Sequence, residues 1–232
     1  METLHEFHAR VDGFQRDSLP HEGSLITKPL LVEKVAADGP LLPFFGNTMI
    51  FDLPARTQLQ IARLQLILHH RCGWMLAAPL APATLHMTLH DLLNGVDEAA
   101  LREPVHQTGK QARAILAGQR AEDQPPTRLT STLAFNMTNG SVCLGFAPDT
   151  EEDCARLMSM HAAYQDVVAL NYPLTPHVTL AYFRPGSYGP DEVAQLAAAL
   201  AEINALPKIR IEMDAHCLHY YTFQDMNTYI RG

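Results

Sequence analysis

The chain has no hydrophobic run near the roughly 18–20 residues that a membrane span needs. Its greasiest stretch, Trp74–Leu85, is broken by Pro79 and Pro82. Cysteine is scarce: Cys72, Cys143, Cys154 and Cys217 are scattered, and no Cys-x-x-Cys occurs. That argues against a disulfide scaffold and for reduced thiols in the cytoplasm. The start, Met1-Glu2-Thr3-Leu4-His5-Glu6, lacks the basic residues and apolar core of a secretion signal, so a cytoplasmic chain is expected. Positive charge is also short. Against 25 Asp and Glu stand 17 Lys and Arg, a formal net charge of −8. A basic face coating long nucleic acid is disfavoured, because such binding is mostly phosphate neutralisation; a small or terminal phosphate is not excluded. There are no low-complexity tracts.

What is present is ordinary globular composition, 47% hydrophobic and 18% charged, over 232 residues. That length suits one large domain or two small lobes. The informative stretch is Pro176-His177-Val178-Thr179-Leu180-Ala181-Tyr182-Phe183. β-Branched residues and bracketing prolines make it a short strand. Alternation puts His177 and Thr179 on one face, and Val178, Leu180 and Tyr182 on the other. A second copy is Leu85-His86-Met87-Thr88-Leu89, with His86 and Thr88 together.

With 12 histidines, chance alone supplies about one His-x-Thr, and His106-Gln107-Thr108 in a polar, helix-like stretch is read as that one. The other two have matched surroundings. Thr48–Leu53 is a strand, Pro54 opens a helix to about Arg71, and the His86 strand follows. Ser141–Ala147 is a strand, Pro148 and Asp149 lead into a helix to about Leu170, and the His177 strand follows. The chain therefore carries a duplicated strand–helix–strand unit with His-x-Thr at the same place in each.

In this respect the sequence resembles the 2H phosphoesterase superfamily, which has two His-x-Thr/Ser motifs, one per lobe, each followed by an apolar residue. His86, Thr88 and Leu89, then His177, Thr179 and Leu180, carry the resemblance, which extends from about Asn47 to Phe183. Leu42-Pro43-Phe44-Phe45-Gly46-Asn47-Thr48 is also similar to an uncharacterised bacterial and fungal branch. The implied fold is α+β and bilobal. Two pseudo-symmetric lobes, about 30–120 and about 127–223, would each hold a mainly antiparallel sheet with outer helices, facing a central cleft. Strands are free to cross between them.

Elsewhere the pattern predicts a helix or docked arm within residues 1–28. A hairpin of Leu30–Val35 and Leu41–Phe45 is expected around Asp38-Gly39-Pro40. A helix is expected over Asp97–Leu116, and a lobe boundary at Gly118–Pro126. Arg128–Asn136 should be a strand with Leu129, Leu133 and Phe135 on one face, turning at Asn139-Gly140 into the next. Thr150 and Asp153 should cap the helix that follows. Asp191–Ile203 reads as an amphipathic helix, Ile209–Met213 as a half-wet strand, and His216–Phe223 as the closing strand.

Cleaving a phosphodiester without metal needs a base for the attacking oxygen and an acid for the leaving oxygen. Histidine suits both, with an unperturbed pKa of about 6.5. His86 and His177 are the candidate pair; Thr88 and Thr179 would hydrogen-bond the phosphate oxygens. Phe183 has the parity of His177, so it is a candidate for stacking on a base, although packing is the commoner use of such an aromatic. His90 shares the parity of His86 and is read as a surface residue; Arg184 is read as an exposed loop arginine. The expected ligand is a small nucleotide or RNA-end phosphodiester, with no cofactor, no metal, no membrane and no extended nucleic-acid track.

Two rivals remain. A metal-dependent hydrolase would use His86 and His90 together, but on a strand they stand about 13 Å apart. A non-catalytic module would hold a nucleotide or RNA end in the same cleft.

Overall fold

The computed structural model describes residues 2–20, 23–122 and 124–232. His21 of the N-terminal arm and Asp123 of the expected lobe boundary lie outside the described residues. In chain order the elements begin with α1 (Leu4–Arg16), β1 (Leu25–Ile26), β2 (Phe45–Asp52), α2 (Ala55–Cys72) and β3 (His86–Gly95). Next come α3 (Glu98–Ala121), β4 (Thr127–Met137), β5 (Ser141–Pro148), α4 (Glu151–Ala162) and β6 (His177–Tyr182). The chain closes with β7 (Ser187–Tyr188), α5 (Pro190–Asn204), β8 (Arg210–Met213), β9 (Leu218–Asp225) and β10 (Thr228–Arg231).

Two antiparallel sheets run in the orders β10-β9-β2-β3 and β6-β5-β4-β8. Their motif strands, β3 and β6, are both edge strands, and Cα atoms of the two come within 8 Å. The fold is α+β with two sheets meeting at the His-x-Thr strands. A small third sheet, β1 with β7, ties the N-terminal arm to the loop after β6.

Of the two helices that join paired strands, α2 crosses to the other sheet, whereas α4 packs on β4 and β5 of its own. α2 leaves β2 of the first sheet yet packs on α5 and β6. Its buried Gln65 donates through Nε2 to Leu80 O at 3.1 Å and to Leu180 O at 2.9 Å. The expected apolar stripe of Ile61, Leu64 and Leu68 is buried there. α4 joins strands of the second sheet and turns toward α3. Tyr164, just beyond α4, donates to Gln119 Oε1 at 2.9 Å, and Gln119 Nε2 donates to Met160 O at 3.3 Å. One apolar core thus runs through both halves, from Met49 and Phe51 to Leu144 and Val178. Thr150 caps α4 by accepting from Asp153 N, as expected.

The N-terminal helix α1 starts with a Thr3–Glu6 capping box and buries Phe7, Val11 and Gln15 at four-residue spacing. It lies on the face of the second sheet that carries His177. Gly145 is the Cα partner of His177, and the place a Gly145 Cβ would take is filled by the Gln15 amide. Phe14 also meets Phe135 edge-on, with ring centroids 5.8 Å apart.

Several expectations are corrected. Pro29–Glu33 is a 3₁₀ turn, and only Val35 and Leu41 bridge, because Pro29 presets a helical φ. Gly39 still makes the turn, at φ +108°. α3 continues past Leu116 to Ala121, held by Arg120, which donates to Ala215 O and Leu218 O. α4 stops at Ala162, well short of Leu170, where i→i−3 bonds from Tyr164 and Gln165 tighten the chain into turns. In β4 a register shift between Ser131 and Ala134 breaks the alternation, so Phe135 faces α1 while Leu133 is half-buried. The closing strand β9 pairs with β2, and β10 with β9, so residues 218–231 join the first sheet, a crossing that the sequence left open. Among the described residues no helix is long and apolar enough to cross a membrane.

Candidate active site

Each motif strand carries a bulge directly after its His-x-Thr. In β3, Thr88 pairs with Ile50 but His90 with Met49, leaving Leu89 as the extra residue. In β6, Thr179 pairs with Cys143 but Ala181 with Val142, leaving Leu180 as the extra residue. A bulge shifts the side-chain alternation by one position. Asp91 is consequently exposed and Tyr182 half-buried, each past its bulge on the side of the histidines.

The same shift turns two expected residues away. Phe183 is 0% exposed and packs against Tyr188, so it does not line the cleft. His90 is 1% exposed, with its ring 5.0 Å from His161 and 5.9 Å from Tyr164, so it is neither on the surface nor on the face of His86. His86 and His90 point to opposite sides of β3 and cannot share one ion. Among the described residues no three His, Cys, Asp or Glu are grouped to hold a metal.

The histidines have matching anchors. His86 Nδ1 lies 2.7 Å from Thr84 O, and His177 Nδ1 lies 2.7 Å from Thr175 O. A carbonyl only accepts, so each Nδ1 carries the proton and donates. Each Nε2 is left for chemistry. Both rings are half-buried, as are Thr88 and Thr179 two residues on.

Their proton affinities diverge. Burial lowers the His86 pKa; the Thr84 carbonyl opposes this, and charge on His177 lowers it further. Burial also pulls His177 down, but the Cys143 sulfur and the Thr175 carbonyl outweigh it and push the pKa up to about 9. Cys143 is the Cα partner of Thr179 and lies fully buried beneath that face, with Sγ 3.8 Å from Thr179 Oγ1 and 3.4 Å from Ser141 Oγ. Its own pKa is lowered: burial acts to raise it, but the charge on His177 prevails. The surroundings thus favour a neutral imidazole at His86 and an imidazolium at His177.

Other side chains complete the surroundings. The Tyr229 ring stands edge-on to His86, with centroids 4.7 Å apart. The Asp91 carboxylate raises the pKa of both histidines and accepts from Tyr172 Oη at 2.9 Å. Sequence parity missed Asp91 and Tyr182 because a bulge leaves no mark in the alternation. Tyr229 lies beyond the last expected strand. Cys143 was legible only as a residue of the strand next to β6. Arg184, expected on an exposed loop, is half-buried with Nε donating to Leu76 O at 2.8 Å.

No model of a known protein family matches the chain, and no curated protein matches it. Solved structures do. A conserved protein of unknown function, ATU0111 from Agrobacterium tumefaciens str. C58, is similar at 19% identity and a TM-score of 0.66. The match covers 89% of this chain and 92% of that one, and it shows a shared fold. LigT of E. coli complexed with 3′-AMP matches at 16% identity and a TM-score of 0.49, covering 82% of this chain and 95% of that one. TT0787 of Thermus thermophilus matches at 14% identity and a TM-score of 0.46, covering 80% of this chain and 93% of that one.

Proposed function

We propose that this chain is a phosphoesterase of the 2H kind, cleaving a cyclic or linear nucleotide phosphodiester by two-histidine acid–base catalysis. The observation that carries the reading is the pair of imidazoles on adjoining edge strands, anchored alike at Nδ1 and pushed to opposite protonation states. Neutral His86 is the base. Its Nε2 lone pair takes a proton from water as the water oxygen bonds to phosphorus. Protonated His177 is the acid, giving its Nε2 proton to the ester oxygen as the P–O bond breaks. The products are a phosphomonoester and a hydroxyl, which remain on one molecule when the substrate is cyclic. Thr88 and Thr179 hydroxyls donate to the phosphate oxygens as charge develops there. Acid–base help of this kind is worth roughly 10²–10⁴ in rate.

The substrate class follows from chemistry and charge: a small nucleotide or RNA-end phosphodiester, since 2′,3′-cyclic phosphates, RNA ends, 2′-5′ linkages and ADP-ribose cyclic phosphate all fit one phosphorus between two imidazoles. A panel of these, followed by ³¹P NMR with EDTA present, tests the reading. Conversion of at least one member to a phosphomonoester at an unchanged rate in EDTA is expected. Binding without turnover of any member would replace the enzyme with a holding module; activity restored only by a divalent ion would replace the mechanism.

A further inference from the structure

Next to the cleft lies a cavity of about 500 Å³ that the proposed reaction does not use. Among its lining residues are Asp38, His69, Ala78, Arg184, Asp225 and Asn227. Two of these segments lead directly to the catalytic motifs. Arg184 follows β6, two residues after Tyr182. Asn227 clamps the loop that precedes His86: its Oδ1 accepts from Ala81 N at 2.8 Å and Thr84 Oγ1 at 3.1 Å. Met226, between two lining residues, turns the other way, with Sδ 3.1 Å from Tyr182 Oη. One layer of side chains therefore separates cavity and cleft.

Arg184 is the group that asks for a ligand. Its Nε donates to Leu76 O, and the guanidinium lies against Gly39, where a Cβ would stand 2.9 Å from Nε. Gly39 is also at φ +108°, so glycine serves there both for backbone and for space. Among the described residues no carboxylate comes within 4.0 Å of the guanidinium, although Asp38 and Asp225 line the same cavity. Its terminal nitrogens make no hydrogen bond to any described residue. His69 adds a buried Nε2 without a partner. A guanidinium held at Nε is preorganised for an oxyanion, since its planar fork loses little freedom on binding. The carboxylates would repel a bare polyanion but accept from hydroxyls. Asp225 already accepts from Asn227 N and Thr228 Oγ1, which leaves Asp38 the freer of the two.

We infer that the cavity binds the phosphate of a hydroxylated ester, a sugar phosphate or nucleotide, with Arg184 on the phosphate and Asp38 on a hydroxyl. The phosphate has two possible sources: the far end of a substrate whose diester sits between the histidines, or a separate ligand. Only the first rests on the proposed function.

The site is tested first without any reaction. Ribose 5-phosphate and inorganic phosphate are titrated by calorimetry into a His86→Ala/His177→Ala double variant, in which the cleft has lost its imidazoles. Ribose 5-phosphate is expected to bind more tightly than phosphate. Arg184→Gln should weaken it about tenfold or more, as loss of a bidentate charged pair does. Ala78→Phe, at an exposed wall position, should fill the cavity and abolish binding without lowering the melting temperature. No binding to the double variant, or binding indifferent to both substitutions, overturns the site. The source is then read from KM. Arg184→Gln raising KM only for nucleoside 2′,3′-cyclic phosphates that bear a 5′-phosphate assigns the cavity to the far end of the substrate. Equal KM effects with and without that group, alongside retained binding of ribose 5-phosphate in wild type, assign it to a separate ligand.

Discussion

His86 and His177 share an anchor and differ in what lies beneath them. Each ring is fixed by a carbonyl two residues upstream, so neither tautomer nor orientation separates them. The difference is Cys143, which sits under the His177 motif alone and pulls that imidazole up against burial. If His177 is the acid, turnover is lost as pH rises through its folded pKa. Cys143→Ala removes the upward pull and leaves the burial that pulls down. The alkaline limb of the kcat/KM profile should then move to lower pH, by about one to two units for loss of a close charge partner. An alkaline limb that stays in place or moves up would mean that Cys143 does not set the proton affinity of the acid.

The elements behave as interlocked pairs. α2 starts from the first sheet and reaches both motif segments through one side chain, Gln65, whose amide satisfies Leu80 O and the bulge carbonyl Leu180 O. Gln65→Leu keeps the bulk and strands those two acceptors. Stability should fall by about 1–3 kcal/mol, the usual cost of an unsatisfied buried group, measured as a lower urea midpoint with an unchanged slope. No change in midpoint would show that water replaces the amide. Much of this architecture was legible in the chain. Pro54, Pro148 and the two His-x-Thr strands marked the duplicated units, and the helical spacing of Ile61, Leu64 and Leu68 located a buried face. Three things were not legible. A bulge adds one residue to a strand with no compositional signal, so the faces of His90, Tyr182 and Phe183 came out reversed. A strand's partner is set by long-range pairing, so β9 read correctly as a strand yet joined the other sheet. Cys143 reads as an apolar strand residue until its register opposite Thr179 is known.

For the whole molecule, the two motif strands lie at the inner edges of two sheets, α2 crosses from the first to the second, and α1 occupies part of the second sheet's face beside them. Basic residues are outnumbered, 17 Lys and Arg against 25 Asp and Glu, and Lys28 is close enough to half-buried Lys34 to help burial lower its pKa. Affinity for an RNA end should accordingly depend weakly on salt, with a log–log slope of about −1 to −2, and should gain little beyond a few nucleotides. A slope of about −5 or steeper would reveal an extended basic track. The account as a whole stands on two histidines acting on one phosphorus. Its most direct measurement is kcat/KM for His86→Ala, His177→Ala and the double variant on the best cyclic phosphate, with melting curves to confirm the fold. Each single variant should lose about 10²-fold or more, and the double little more than the worse single, because both groups serve one concerted step. Near wild-type kcat/KM in either single variant, or losses that multiply in the double, would contradict it.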